Sequence, residues 1–190
     1  MLFRSIDFIR ERNPDHIIIA EGAAPLKPKI DGIDDARVIS AWDVLRDDPK
    51  LGKRVAVIGG GAVGLETALF VAMKGTISPE TLHFLFTYEA ETIDRLRELA
   101  TRGTKEVTVF EMLPKVGAGV GRSTKWILLG DIHRHGVKAV TGAKVTSMKN
   151  GIVNYDIDGK HNSMEFDTII NAIGSRSVRK IADAIEELGI

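Results

Sequence analysis

A run of glycines between a predicted strand and a predicted helix constrains the fold of this chain more than any other feature. Val55–Ile58 is an apolar segment typical of a buried strand, the glycine-rich loop follows at once, and Leu65–Lys74 favours a helix. In a G-x-G-x-x-G loop the first glycine permits a tight turn, the second lets the backbone approach a pyrophosphate, and the third lets helix and strand pack closely. The strand–loop–helix context predicts a dinucleotide site. The loop residues predicted to contact the dinucleotide are Gly59, Gly60, Gly61, Ala62, Val63 and Gly64.

The order of predicted elements indicates an α/β protein. Short apolar segments alternate with helical ones, which is typical of a parallel sheet with both faces covered. Residues 143–166 alternate polar and apolar residues around Asn150-Gly151 and Asp158-Gly159, which predicts an antiparallel meander. The fold class expected is therefore a Rossmann-like parallel sheet with an inserted antiparallel β-meander. The further segments predicted as parallel strands are His16–Ala20, Val107–Glu111, Val137–Val140 and Thr168–Ile173.

Glu111 is the candidate for the acidic residue that binds the adenosine ribose. A dinucleotide site of this kind has a carboxylate at the end of its second strand, about 20 residues after the glycines. Glu111 lies 47 residues after Gly64, but residues 76–103 have the features of a 28-residue insertion, and removing them leaves a spacing of 19. A carboxylate there accepts hydrogen bonds from ribose hydroxyls and repels a 2′-phosphate, which favours NAD(H) over NADP(H). Lys115 and Arg122 lie downstream, where their charge would weaken that preference.

The insertion at 76–103 is predicted to form two short helices. Ser78-Pro79 is a favourable start for the first helix, and Thr87 is a candidate N-cap for the second. Two interpretations remain open for this hairpin. It is either a docking element for a partner domain or a surface hairpin without a role.

Composition excludes several function classes. Lysine plus arginine equals aspartate plus glutamate at 26 each, so a nucleic-acid partner and a polybasic membrane surface are not expected. The chain has no cysteine, which excludes disulfides and cysteine-ligated clusters within it, and its five histidines suggest no metal site. Charged residues interrupt the start of the chain, so no secretory leader is expected and a cytoplasmic location is the expectation.

The motifs together resemble one known module. Val55–Glu66 resembles the second nucleotide-binding domain of the two-dinucleotide flavoproteins of the pyridine nucleotide-disulphide oxidoreductase type. Ser40–Leu45, Glu111–Gly117 and Gly121–Trp126 narrow the likeness to 2-enoate reductases and 2,4-dienoyl-CoA reductases, which are relatives of Old Yellow Enzyme. The helical insertion most resembles the 2-enoate reductase branch.

The resemblance implies roles for further residues. It implies that Glu66 orients the nicotinamide end, that Val145 lies on the adenine side, and that Gly174 lines the pyrophosphate or nicotinamide side. Ala20-Glu21-Gly22 departs from the family, because Glu21 stands where a small hydroxyl residue is usual. A carboxylate at that place is expected to affect the flavin side of the protein.

The resemblance leads us to expect that the chain is an excised part of a longer enzyme and is inactive alone. Residues 53–174 are expected to bind NADH, with 1–52 and 175–190 as crossovers to an FAD-binding half. FAD is expected in the parent chain rather than here. FMN and an iron–sulfur cluster are expected in the barrel of the parent, which binds the substrate. The flanks are expected to expose apolar surface where that half would pack. Two alternatives remain: a non-catalytic NAD-sensing or interaction module, and FAD bound by the same glycine loop.

Overall fold

The computed structural model describes residues 6–187, which form helices, a parallel sheet, a meander and a two-stranded ribbon. The strands, in chain order, are β1 Ala23–Pro25, β2 Val38–Ser40, β3 Arg54–Ile58, β4 Glu106–Glu111, β5 Lys138–Thr141, β6 Lys144–Lys149, β7 Ile152–Ile157, β8 Lys160–Glu165, β9 Thr168–Asn171 and β10 Ser175–Ser177. The helices are α1 Ile6–Arg12, α2 Ala41–Asp47, α3 Ala62–Ala72, α4 Pro79–Thr87, α5 Ile93–Thr101, α6 Arg122–Arg134 and α7 Lys180–Glu187.

The described chain divides into two compact units. Residues 27–174 form the larger unit, and the segments before and after it form the smaller one. In the smaller unit β1 pairs with β10, and Glu21 Oε1 accepts hydrogen bonds from the backbone N–H groups of Ile181 and Ala182 at 2.8 and 2.9 Å. The carboxylate of Glu21 therefore caps the first turn of α7.

The larger unit contains a five-stranded parallel sheet in the order β2-β9-β3-β4-β5. The chain runs from β3 outward to β4 and β5, and then returns to place β9 on the other side of β3. The crevice at the carboxyl ends of β3 and β9 is therefore a topological switch point, where ligands bind in open α/β sheets. The predicted fold class, a Rossmann-like sheet with an antiparallel meander, is confirmed.

Different elements cover the two faces of this sheet. Val55 and Val57 of β3 point into a core shared with residues of α2, α3 and α6. The alternate residues Ala56 and Ile58 point into a second core beneath the meander β6-β7-β8. The aromatic ring of Phe110 lies at the centre of that second core, 4.9 Å from the ring of Tyr155 and 5.7 Å from that of Phe166.

Two local predictions from the sequence are wrong. His16–Ala20 forms no strand, because no strand of the described chain lies beside it to accept its hydrogen bonds. Ile18 and Ile19 in that segment are 95% and 44% exposed. The N-cap of α5 is Thr92 and not Thr87, which is instead the last residue of α4.

No helix within residues 6–187 has the length and apolar character needed to cross a bilayer.

Candidate functional site

The glycine loop takes the conformation that its sequence predicts. Gly59 follows β3 with a φ of 107°, and a Cβ atom there would lie 2.6 Å from the carbonyl oxygen of Ala172. A Cβ atom on Gly64 would lie 1.9 Å from the carbonyl oxygen of Gly59. Both distances are far shorter than any van der Waals contact. Glycine is therefore needed at these two places for α3 to start directly against the sheet.

The first turn of α3 is free to receive an anion. Its N-cap is Gly61, which has no side chain to cap the helix, and the first turn carries no acidic residue. Unpaired N–H groups and the positive end of the helix dipole meet at such a terminus. Ala62 and Val63 supply the backbone of that turn, at the mouth of the loop.

Glu111 ends β4 beside this loop, as the spacing without the insertion predicts. Its Oε2 accepts a hydrogen bond from Gly60 N at 2.7 Å, and its Oε1 accepts one from Leu113 N at 2.8 Å. The carbonyl oxygen of Gly60 in turn accepts from Gly117 N at 2.7 Å. The half-buried carboxylate is thus fixed in place by backbone donors, with further lone pairs available to a ligand.

A cavity of about 610 Å³ opens at this edge of the sheet. That volume lies within the range of small-molecule and cofactor sites. Of the residues that line it, Glu111 and Lys144 are the charged ones. The other lining residues are Pro28, Ile30, Ile58, Gly59, Gly61, Ala62, Val63, Phe110, Met112, Leu113, Ala118, Gly119, Ala143, Val145, Ala172, Ile173 and Gly174.

The structure brings most of the predicted site residues to this cavity. The predicted residues that line it are Gly59, Gly61, Ala62, Val63, Glu111, Val145 and Gly174. Gly60 and Gly64 lie behind the lining, where Gly60 bonds to Glu111 and Gly64 packs against Gly59. Glu66 is exposed on α3 and is not among the lining residues.

One wall of the cavity is not predicted by the sequence. Pro28 and Ile30 belong to the loop before β2, and they line the cavity from the meander side. The loop is held there because Asp31 O accepts a hydrogen bond from Met148 N at 2.7 Å and the Asp31 carboxylate pairs with Lys149 at 2.7 Å. No local sequence pattern predicts this wall, since its partners are more than 100 residues away.

The chemistry that this site supports is binding and orientation. Its lining contains no histidine, serine or threonine, so it offers neither a hydroxyl nucleophile nor a histidine acid or base. Across the described part of the chain, no three His, Asp or Glu side chains converge as a metal site would require. An apolar crevice with one fixed carboxylate and a free helix N-terminus suits a dinucleotide.

Comparison with known proteins agrees with this geometry. Residues 10–190 match the pyridine nucleotide-disulphide oxidoreductase family. The chain therefore belongs to that family.

Three similar proteins illustrate the range of the family. The metal reductase of Desulforamulus reducens is 39% identical over 178 residues, which cover 94% of this chain and 27% of that protein. The cinnamate reductase of Clostridium sporogenes is 42% identical over 67 residues, which cover 35% of this chain and 10% of that protein. The structure of 2-naphthoyl-CoA reductase with 2-naphthoyl-CoA superposes with a TM-score of 0.68 at 26% identity, covering 94% of this chain and 23% of that one.

The relatives are much longer than this chain. It spans about a quarter of the metal reductase and of the 2-naphthoyl-CoA reductase chain, at 27% and 23%.

Proposed function

We propose that this chain binds NADH and positions it for hydride transfer to FAD, as the NAD(H)-binding part of a longer enzyme like the 2-enoate and 2,4-dienoyl-CoA reductases. The observation that carries the proposal is the hydrogen bond from Gly60 N to Glu111 Oε2 at 2.7 Å. It fixes a carboxylate at the rim of the glycine loop, where the ribose of a dinucleotide would lie once its pyrophosphate meets the start of α3.

Different lining residues would contact different parts of the dinucleotide. The pyrophosphate would lie against Gly61, Ala62 and Val63, whose backbone forms the start of α3. Glu111 would accept hydrogen bonds from the hydroxyls of the adenosine ribose, with Val145 beside the adenine. Gly174 lines the opposite end of the cavity, which would take the nicotinamide half. Glu66, exposed one turn into α3, is proposed to orient that half in the longer enzyme.

The same carboxylate supports a preference for NADH over NADPH. A 2′-phosphate would come close to Glu111, and two negative groups repel one another across the short distance of a hydrogen-bonding site. Lys144 is the one cationic residue among those that line the cavity, and it offers the main opposing attraction. Lys115 and Arg122, which the sequence suggested for that role, are not among the lining residues.

Several observations support a longer parent enzyme. The chain spans 27% of the metal reductase and 23% of the 2-naphthoyl-CoA reductase chain, and a cinnamate reductase is also among its relatives. Residues 53–174, with the insertion at 76–103, are proposed as the NADH-binding part, and residues 1–52 and 175–190 as its links to an FAD-binding half. FMN and an iron–sulfur cluster would belong to the barrel of the parent. When bound, NADH would supply a hydride to the flavin of the parent.

The proposal is tested by calorimetric titration of the purified chain with NADH and with NADPH at one salt concentration. We expect NADH to bind more tightly, and Glu111→Ala to weaken NADH binding by about tenfold, the loss expected for a hydrogen bond to a charged group. Glu106→Ala is the matched control, since Glu106 begins the same strand and pairs with Lys53 at 2.8 Å, at the edge remote from the cavity.

Each other outcome has a defined meaning. Tighter binding of NADPH would overturn the role given to Glu111 and favour the dienoyl-CoA reductase type. A purified chain with flavin absorbance, displaced by neither nucleotide, would assign the loop to FAD. Failure of both nucleotides to bind the chain, and of NADH to bind a longer parent that contains it, would refute the dinucleotide site.

A further inference from the structure

Asn171 is a buried polar residue at the end of an inner strand of the parallel sheet. It is 8% exposed, and the two residues before it in β9, Ile169 and Ile170, are fully buried. The strand lies between β2 and β3, so Asn171 ends it at the switch point of the sheet. A polar side chain in such a place costs free energy unless it is hydrogen-bonded.

The side chain of Asn171 bonds to the backbone that leaves the strand. Its Oδ1 accepts a hydrogen bond from Ile173 N at 3.3 Å. Asparagine commonly bonds to the backbone two residues ahead, and the bond fixes the turn that follows. Here that turn carries Ala172, Ile173 and Gly174, all of which line the cavity.

The fixed turn is in direct contact with the glycine loop. Ala172 N donates a hydrogen bond to Ile58 O at 2.8 Å, at the last residue before the loop. The carbonyl oxygen of Ala172 lies so close to Gly59 that a Cβ atom on Gly59 would be 2.6 Å from it. A small movement of this turn would therefore change the shape of the cavity on the β9 side of the first glycine, where Ala172, Ile173 and Gly174 line it.

The sheet order tells which half of a dinucleotide this turn would face. Glu111 and the residues after β5 lie on one side of β3, and β9 lies on the other. With the ribose of adenosine at Glu111 and the pyrophosphate at the start of α3, the remaining half extends toward β9. The nicotinamide half would therefore meet Ala172, Ile173 and Gly174.

We propose that Asn171 is a positioning residue that holds the wall of the cavity against the nicotinamide half of NADH. This inference rests on the proposed function, because it takes the cavity to be an NADH site. Asn171 acts through the backbone of residues 172–174 and not by touching the reacting atoms. An apolar residue in its place would leave the Ile173 N–H without its acceptor.

The test compares NADH with ADP-ribose, which lacks only the nicotinamide ring. Calorimetry on the full chain gives both dissociation constants for the wild type and for Asn171→Leu and Asn171→Ala, which remove the acceptor oxygen at two side-chain sizes. We expect the dissociation constant for NADH to rise about fivefold to tenfold, the range of one net hydrogen bond. The dissociation constant for ADP-ribose should change by less than about twofold, since the adenosine half lies on the other side of β3.

Two further variants separate positioning from stability alone. Asn171→Asp keeps an acceptor oxygen and should restore NADH binding to within about twofold of the wild type. Thr168→Val is the matched control, because the Thr168 hydroxyl accepts a hydrogen bond from Gly52 N at 3.1 Å at the opposite end of the same strand. It should lower the melting temperature while leaving the ratio of the two dissociation constants unchanged.

The outcomes keep this inference distinct from the proposed function. Failure of the wild-type chain to bind NADH and ADP-ribose, together with failure of a longer parent that contains it to bind NADH, contradicts the proposed function itself. A second outcome is that the wild type binds both ligands and that Asn171→Leu and Asn171→Ala weaken the binding of NADH and of ADP-ribose equally. That result overturns the positioning role and leaves the site in place. Failure of Asn171→Asp to restore binding would overturn the assignment to the acceptor oxygen.

Discussion

The Oε2 atom of Glu111 accepts a hydrogen bond from Gly60 N at 2.7 Å, which joins the end of β4 to the loop after β3 through one side chain. The other carboxylate oxygen accepts from Leu113 N at 2.8 Å and fixes the start of the next loop. The residue proposed to bind the ribose therefore also holds the shape of the loop that would bind the pyrophosphate. Binding and local stability are coupled at this carboxylate.

The first prediction concerns stability in the absence of any nucleotide. Glu111→Ala leaves the N–H groups of Gly60 and Leu113 without their acceptor, and the loss at the buried Gly60 is the more costly of the two. We expect the free energy of unfolding to fall by about 1–3 kcal/mol, the penalty of an unsatisfied donor. Thermal melting followed by circular dichroism measures it. Glu106→Ala, which removes only an exposed ion pair, should cost less than about 1 kcal/mol. Equal losses in the two variants would show that the bond to Gly60 adds nothing to stability.

The second prediction separates two glycines of the loop. A Cβ atom on Gly64 would lie 1.9 Å from the backbone oxygen of Gly59, whereas one on Gly61 would meet only Ala118 O at 3.5 Å, an ordinary contact. We expect Gly64→Ala to lower the stability by about 3 kcal/mol or more, because α3 must move away from the sheet. Gly61→Ala should fold like the wild type.

NADH binding also distinguishes Gly61 from Gly64. Gly61 lines the cavity at the start of α3, so a methyl group there would occupy the space that a pyrophosphate needs. We expect Gly61→Ala to weaken NADH binding by about tenfold or more. The melting temperature of this variant should stay near that of the wild type. Unchanged NADH affinity in a folded Gly61→Ala variant would contradict the placement of the pyrophosphate.

The third prediction is a pH dependence in the loop that carries the cavity wall. Asp35 accepts hydrogen bonds from Arg37 N and Asn150 N, both at 2.9 Å, and these donors lower the pKa of its carboxyl below the usual value. A lowered folded-state pKa stabilises the fold above the unfolded pKa of about 4, and that stabilisation is lost as the pH falls through the folded value. Thermal melting between about pH 7 and about pH 3 should therefore show that the wild type loses stability more steeply than Asp35→Asn as the pH falls.

A matched variant isolates that effect from general acid unfolding. Asp158 lies in the second turn of the same meander and takes no part in the tie between Asp35 and Asn150. Asp158→Asn should follow the wild-type pH profile. If Asp35→Asn and Asp158→Asn give the same profile, the two bonds to Asp35 are not what holds the loop on the meander.

Local rules were sufficient for the elements that contain their own signals. The strand before the glycine loop, the helix after it and the two hairpin turns of the meander each carry these signals within a few residues. The position of Glu111 followed once the insertion was recognised, because strand ends are set by the sheet and not by the length of the connection. The N-cap at Thr87 failed because Glu89 and Ala90 end α4 in a turn that leaves Thr92 as the next cap.

Long-range contacts account for what the sequence did not predict. Pro28 and Ile30 reach the cavity only because Asp31 binds the backbone of Met148, and no local pattern encodes that pairing. The apolar run at His16–Ala20 has the composition of a buried strand, but a strand needs a neighbour, and none lies beside it in the described chain. Glu21 departs from the family pattern, and only the fold reveals that it caps α7.

The last prediction concerns the helical insertion at 76–103. Its two ends lie together, since Thr104 N donates to Lys74 O at 2.8 Å, so a short glycine–serine linker can join Gly75 to Thr104. The hairpin contributes little to the core: α4 has no buried residue, and Leu96 is the one buried residue of α5. No residue of the insertion lines the cavity.

We therefore expect the chain without residues 76–103 to fold and to bind NADH within about twofold of the intact chain. Circular dichroism and calorimetry measure the two properties, and helix content should fall by the share of α4 and α5. A loss of NADH affinity in a folded deletion variant would contradict this prediction. It would mean that the hairpin influences the nucleotide site. Loss of folding would mean instead that Leu96, the one buried residue of α5, is needed for the fold.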